Sequence, residues 1–178
     1  MDPIDQLLTI AEIALTLAGF AGIIATFQFQ NGSSLSRGRV LSLALIVYIS
    51  LVGTFFAVLP IVLLNFGLPE ESVWAGCSAL MAINISAFIV YIWRRTDTNH
   101  LSGPIRSFYG ASFLLASAVV IANIMNCIPG LFDGEYSIYF VNFVFFLFLV
   151  GFYFSRLLLH PLWKAVDKQT TDISNDSK

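Results

Sequence analysis

The chain has 178 residues, 57% of them hydrophobic and only 11% charged, where a soluble domain carries about a quarter charged residues. That balance excludes a self-sufficient soluble domain, and a formal net charge of −2 gives no electrostatic basis for a nucleic-acid partner. Two cysteines, Cys77 and Cys127, are too few for a disulfide framework or a cysteine-rich metal site.

Apolar residues are gathered in blocks of roughly twenty or more, the length a helix needs to cross a bilayer core of ~30 Å. Barrel strands would alternate apolar and polar residues over about ten positions, and these blocks do not. The expected fold class is therefore all-α: a polytopic transmembrane helix bundle of five spans, over about 4–29, 40–65, 73–93, 107–128 and 136–159. Four spans remain if the first block only dips into the bilayer. Residues 1–163 form one transmembrane domain on this reading, and 164–178 a disordered polar cytoplasmic tail.

The first block begins MDPIDQLLTIAEIAL, with no basic residue ahead of its apolar run and no clear small-residue cleavage site, so it reads as a retained span and not a secretory signal. It carries two stripes at helical spacing. Thr9, Glu12, Thr16, Gly19 and Thr26 make a polar one, and Ala11, Ala14, Ala18, Gly22 and Ala25 a small-residue one roughly opposite. Helices in lipid associate through close packing and polar contacts, so a helix ready for contact on both sides is expected to be central. Glu12 lies eight residues past Ile4, which is ~12 Å along a helix. An ionised carboxylate at that depth is costly, so this carboxyl is expected neutral or hydrogen-bonded to a neighbour.

In the second block Pro60 predicts a kink, its freed hydrogen bond met by a hydroxyl such as Thr54 or by water. The third opens at Trp74, carries Asn84 near its middle and closes at Trp93, the two rings falling at the two headgroup layers. Asn123 and Asn126 share a stripe of the fourth with Tyr109 and Ser112, and Asn142 lies in the outer part of the fifth. The phenylalanine-rich stretch FVNFVFFLFLVGFYF of that last block is expected to face lipid. Glu12, Thr16, Asn84, Asn123, Asn126 and Asn142 together form a candidate intramembrane polar cluster. Three roles are open to it: hydrogen bonding between helices, a cavity for a proton, ion or small polar ligand, or a Glu12 that simply snorkels outward. Cys77 and Cys127 fall toward the outer ends of adjacent spans. They read as buried free thiols, with a disulfide as the alternative if their Cα atoms approach within ~7 Å.

The connections are short and rich in Gly, Pro, Ser and Asp, so consecutive helices are expected to be antiparallel neighbours. Arg37 and Arg39 lie between the first two blocks, Arg94, Arg95 and Arg106 between the third and fourth, and Arg156, Lys164, Lys168 and Lys178 at the C-terminal end, which accounts for all nine basic residues. The other side carries Asp2, Asp5, Glu70, Glu71, Asp133 and Glu135. Basic residues are retained on the cytoplasmic side, so the N-terminus is expected outside and the C-terminus inside. Arg37, Arg39, Arg94, Arg95 and Arg106 are also candidate contacts for anionic lipid headgroups or a cytoplasmic partner, beside the topogenic role that already explains them. His100 and His160 have no second ligand at metal-binding spacing. Catalytic motifs and lipidation signals are not found, and no cofactor is expected.

The first-block string LTLAGFAGIIATFQ, followed by SRGRVLSLAL, resembles a broad set of small bacterial inner-membrane proteins of uncharacterised function, most strongly over residues 6–65. The resemblance implies a bacterial plasma-membrane location and the same helical architecture, and brings no activity or ligand residues with it. The expected function is that of a non-enzymatic membrane module, oligomeric or bound to a membrane or cytoplasmic partner, in sensing or signalling. A small channel or transporter with a polar path around Glu12 is the alternative.

Overall fold

The computed structural model describes residues 2–30, 37–95, 103–128, 130–132 and 134–176, with side chains over 2–27, 40–94, 110–128, 130–132, 134–155 and 158. The described residues form five helices and no strand: α1 Pro3–Gln30, α2 Arg37–Asn65, α3 Glu70–Arg95, α4 Gly103–Asn126 and α5 Tyr136–Asp176. Four stretches, Pro3–Phe27, Val40–Asn65, Glu70–Arg94 and Tyr136–Ser155, are long and apolar enough to cross a membrane. The apolar stretch Gly110–Asn126 of α4 is shorter.

The helix ends follow from local chemistry. Asp2 caps α1, its Oδ1 accepting the Ile4 N–H at 3.2 Å, while Pro3 fills the first helical position, where no N–H is needed. At the far end of α2 the chain leaves through Gly67, whose φ of +77° lies in the left-handed region and whose N–H reaches the Leu64 carbonyl at 2.9 Å. Glu70 and Glu71 occupy the first turn of α3, where the helix dipole favours negative charge. Gly134 (φ +72°) is required twice over, since a Cβ there would run into the backbone of Glu71 as well as being strained.

The chain divides into two compact units. Met1–Ile10 with Phe55–Phe145 form the first, and Ala11–Thr54 with Phe146–Lys178 the second. The first unit holds all of α3 and α4, which pack together, and its interior combines Trp74, Met81, Tyr139 and Phe143 with buried Asn123, Asn126 and Asn142. The second is lined by Ala14, Ala21, Ile46, Ile49, Leu149 and Val150, and the ring of Phe146 lies 3.7 Å from where a Cβ on Gly53 would stand.

Residues 164–176, in the segment expected from composition to be a polar tail, are helical and continue α5, a helix of 41 residues. No glycine or proline follows Pro161 before the helix end, and extending an existing helix avoids the cost of nucleating a new one. The phenylalanines of α5 do not simply face lipid, because Phe143, Phe145 and Phe146 are buried while Val141, Val144 and Phe148 are exposed. Nor is α1 enclosed on both sides, since 28% of its apolar window is buried against 39–44% in the other three.

Candidate functional site

The polar residues of the first unit close on one another. Asn123 and Asn142 form a reciprocal amide pair, each Nδ2 donating to the other's Oδ1 at 2.7 and 3.0 Å. Their second N–H groups return to their own helices, Asn123 to the Val119 carbonyl at 2.7 Å and Asn142 to the Tyr139 carbonyl at 2.8 Å. Asn126 lies three residues beyond Asn123 on the same helix face. Its amide donates to Ser78 Oγ at 2.9 Å and to the Glu135 carbonyl at 3.1 Å, and its Oδ1 accepts the Glu135 N–H at 2.8 Å. Every amide hydrogen of the three is thus committed, and the network ties α3, α4 and the start of α5 together. Buried networks of this kind, with every donor committed, favour one packing arrangement of the helices.

A second repair lies beside it. Pro60 has no N–H, so the Phe56 carbonyl four residues earlier loses its helical donor. Tyr139 supplies the replacement, its buried hydroxyl donating to Phe56 O at 2.6 Å. Thr54, the donor expected from sequence, instead bonds the Ser50 carbonyl of its own helix at 2.9 Å. Cys77 is buried, and Cys127 Sγ donates to the Asn123 and Ala75 carbonyls at 3.1 and 3.3 Å. Both thiols are free. Trp74 packs against Tyr136 and Tyr139, with ring centroids 5.1 and 5.8 Å away, and is buried by them near the start of α3. Tyr136 in turn donates to Gln6 Oε1 at 3.0 Å, with the Pro3 carbonyl at 3.4 Å, and so fastens the start of α1 to the start of α5.

Glu12 and Thr16 do not belong to this network. Both are exposed on α1, in the second unit, and the Glu12 carboxylate takes no hydrogen bond among the described residues. Asn84 is half-buried on α3 and stands outside the amide network. Of the amides expected as neighbours of Glu12, Asn123 and Asn142 are occupied by one another and Asn126 by Ser78 and Glu135. On α1 the buried positions are on the alanine side: Ala11, Ala14 and Ala21 are buried and Ala18 and Ala25 half-buried, though Gly22 is exposed. The polar side, Thr9, Glu12, Thr16, Gly19 and Thr26, is exposed throughout.

Its three threonine hydroxyls each donate to the carbonyl four residues earlier, Thr9 to Asp5 at 2.8 Å, Thr16 to Glu12 at 2.7 Å and Thr26 to Gly22 at 3.0 Å. Their hydrogens are spent and their oxygens are left as acceptors. Gly19 and Gly22 have nothing within 4 Å of where a Cβ would stand, so neither is needed for packing inside the chain.

Of the arginines, Arg94 is exposed beside Trp93, itself 70% exposed, at the end of α3. The side chains of Arg37, Arg39, Arg95 and Arg106 lie outside the described residues, as do those of Arg156 and His160 and the whole of His100 and Asp133. Among the described residues no group of three or more His, Cys, Asp or Glu could hold a metal ion. Comparison with protein-family models, with curated proteins and with solved structures gives no match.

Proposed function

We propose that this chain is a non-enzymatic subunit of a membrane assembly, acting through helix contacts in sensing or signalling, and that it resides in the bacterial inner membrane. The observation that carries this is Glu12, an exposed acidic residue about a third of the way along a helix long and apolar enough to cross a membrane. A charge at the centre of a span costs about 2.5–3.5 kcal/mol on insertion scales, less toward its ends, and ionisable residues within spans almost always face protein or a water-filled cavity. Among the described residues no side chain covers Glu12, and in this reading another protein helix supplies its cover.

In this reading all five helices span. α4 has 24 residues, ~36 Å of helix, which suffices. Gathering of Arg and Lys at one set of helix ends supports an outside N-terminus and a cytoplasmic C-terminus. The resemblance of residues 6–65 to small bacterial inner-membrane proteins supports the location. A permeation path through the chain is disfavoured by the closed amide network, whose donors are all committed.

The test is the mass of the particle extracted in mild detergent and exchanged into lipid nanodiscs. More than one protein chain per particle is expected. A single 19.6 kDa chain with unimpaired biological activity would contradict the proposal.

A further inference from the structure

Arg94 and Arg95 close α3, and Arg106 stands in the first turn of α4. The two helices pack together within one compact unit. Where they meet, the rings of Trp93 and Phe113 lie 5.3 Å apart, centroid to centroid. That contact sets the register of the pair: Arg106 comes seven residues before Phe113, ~10 Å back along α4, so all three arginines belong to the same end. Over residues 94–106 they are set against one acidic residue, Asp97. Glu70 and Glu71 occupy the opposite end of α3, ~35 Å away along the helix.

Retention of these ends on one side of the bilayer calls for the charges, but not for the surface beside them. Trp93 is 70% exposed although its ring is packed on Phe113. Ile83, Ala87, Val90 and Trp93 follow one another along α3 at spacings of four, three and three residues, all exposed. They make an apolar track ~15 Å long that runs from the middle of the helix to Arg94 and ends in an indole, a ring that favours the headgroup layer. A water-soluble partner would meet the arginines and leave the track unused. A phospholipid uses both, its acyl chain along the track and its phosphate at the arginines, with charge complementarity deciding the headgroup. We infer that the Arg94, Arg95 and Arg106 end of the α3–α4 pair is a binding surface for an anionic phospholipid of the adjoining leaflet. The inference rests on α3 and α4 spanning the bilayer and is independent of what covers α1.

The full chain with Trp93 as its only tryptophan (Trp74→Phe, Trp163→Phe) tests this in vesicles of phosphatidylglycerol and phosphatidylcholine, with one lipid or the other brominated in its acyl chains. Quenching of Trp93 then reports which lipid lies beside it. Phosphatidylglycerol is expected to be preferred by at least ~5-fold at low salt, the worth of one arginine at a membrane surface, and by less as salt rises. Arg94→Gln, Arg95→Gln and Arg106→Gln are made one at a time, so that the other eight basic residues still hold the topology. Each is expected to lower the preference by ~2–5-fold, whereas Arg37→Gln and Arg39→Gln leave it within ~1.5-fold. Equal quenching by the two lipids would overturn headgroup recognition. Equal losses in the Arg37→Gln and Arg39→Gln variants would reveal a diffuse attraction and overturn the local site. Quenching by neither lipid would overturn the inference as well, and iodide in the water separates the two causes. Trp93 open to iodide would end the spanning reading of this pair too, while Trp93 shielded from iodide lies under protein and leaves that reading standing.

Discussion

Replacing Tyr139 by phenylalanine removes a single hydroxyl from a ring that is otherwise retained, and with it the donor that serves the carbonyl orphaned by Pro60. Tyr139 Oη lies 2.6 Å from Phe56 O, at the short end for an O–H···O bond. Leaving a buried carbonyl unsatisfied costs about 1–3 kcal/mol, whereas interhelical hydrogen bonds in membranes average ~0.6 and reach ~1.7 kcal/mol, because the separated helices also find partners. For Phe56 no helical partner exists, so the expected loss lies near the upper membrane value, about 1.5 kcal/mol. The control is Pro60→Ala, which returns an N–H to the helix ladder and gives Phe56 O its own donor. In that background Tyr139→Phe is expected to cost only ~0.5 kcal/mol, a coupling of about 1 kcal/mol between residues on different helices. Any packing defect from Pro60→Ala enters both arms and cancels. Reversible unfolding in mixed micelles, followed by the fluorescence of Trp74 against Tyr139, measures all four corners. Equal costs in the two backgrounds would refute the idea that this tyrosine repairs the proline break.

The amide pair gives a second cycle. Asn123→Leu and Asn142→Leu are each expected to destabilise by about 1–2 kcal/mol by stranding the partner amide, and the double substitution by clearly less than their sum, since it strands neither; additive losses in the same unfolding assay would show that the pair is not coupled. Gly134→Ala is expected to cost more than Gly67→Ala. Both pay the left-handed penalty of ~1–2 kcal/mol, but only Gly134 faces the Glu71 backbone, while Gly67 has open space; matching stabilities of the two variants would argue against that close approach.

Much of the fold was legible because it is set by local chemistry. Length and apolarity separate the helices, and Pro, Gly and Asp mark their ends, so the expected starts and stops of α1 to α4 lie within four residues of those observed. The far end of α5 was not legible, because a polar, glycine-free segment can extend a helix or lie slack and composition does not choose. Asn123, Asn126 and Asn142 were recognisable as buried polar groups, since amides in apolar blocks must find partners. Which partners they take depends on the rotation of each helix about its axis, and that is decided by packing between segments far apart in sequence. Hence Glu12, assigned to the same cluster from its depth alone, lies instead on the outward side of α1. Tyr139 was missed for the same reason: Pro60 announces an orphaned carbonyl, but nothing local says that a tyrosine nearly eighty residues later, by sequence number, answers it.

The cover of α1 is most directly tested by a nitroxide scan of α1 in a lipid bilayer, comparing oxygen accessibility at positions 12, 16 and 19 with positions 13, 15 and 20 at nearly the same depth. All six are exposed in the isolated chain. The account predicts that the first three are shielded and the last three open to lipid. Uniformly high accessibility at all six would show that Glu12 faces hydrocarbon with no protein over it, and would contradict the assembly.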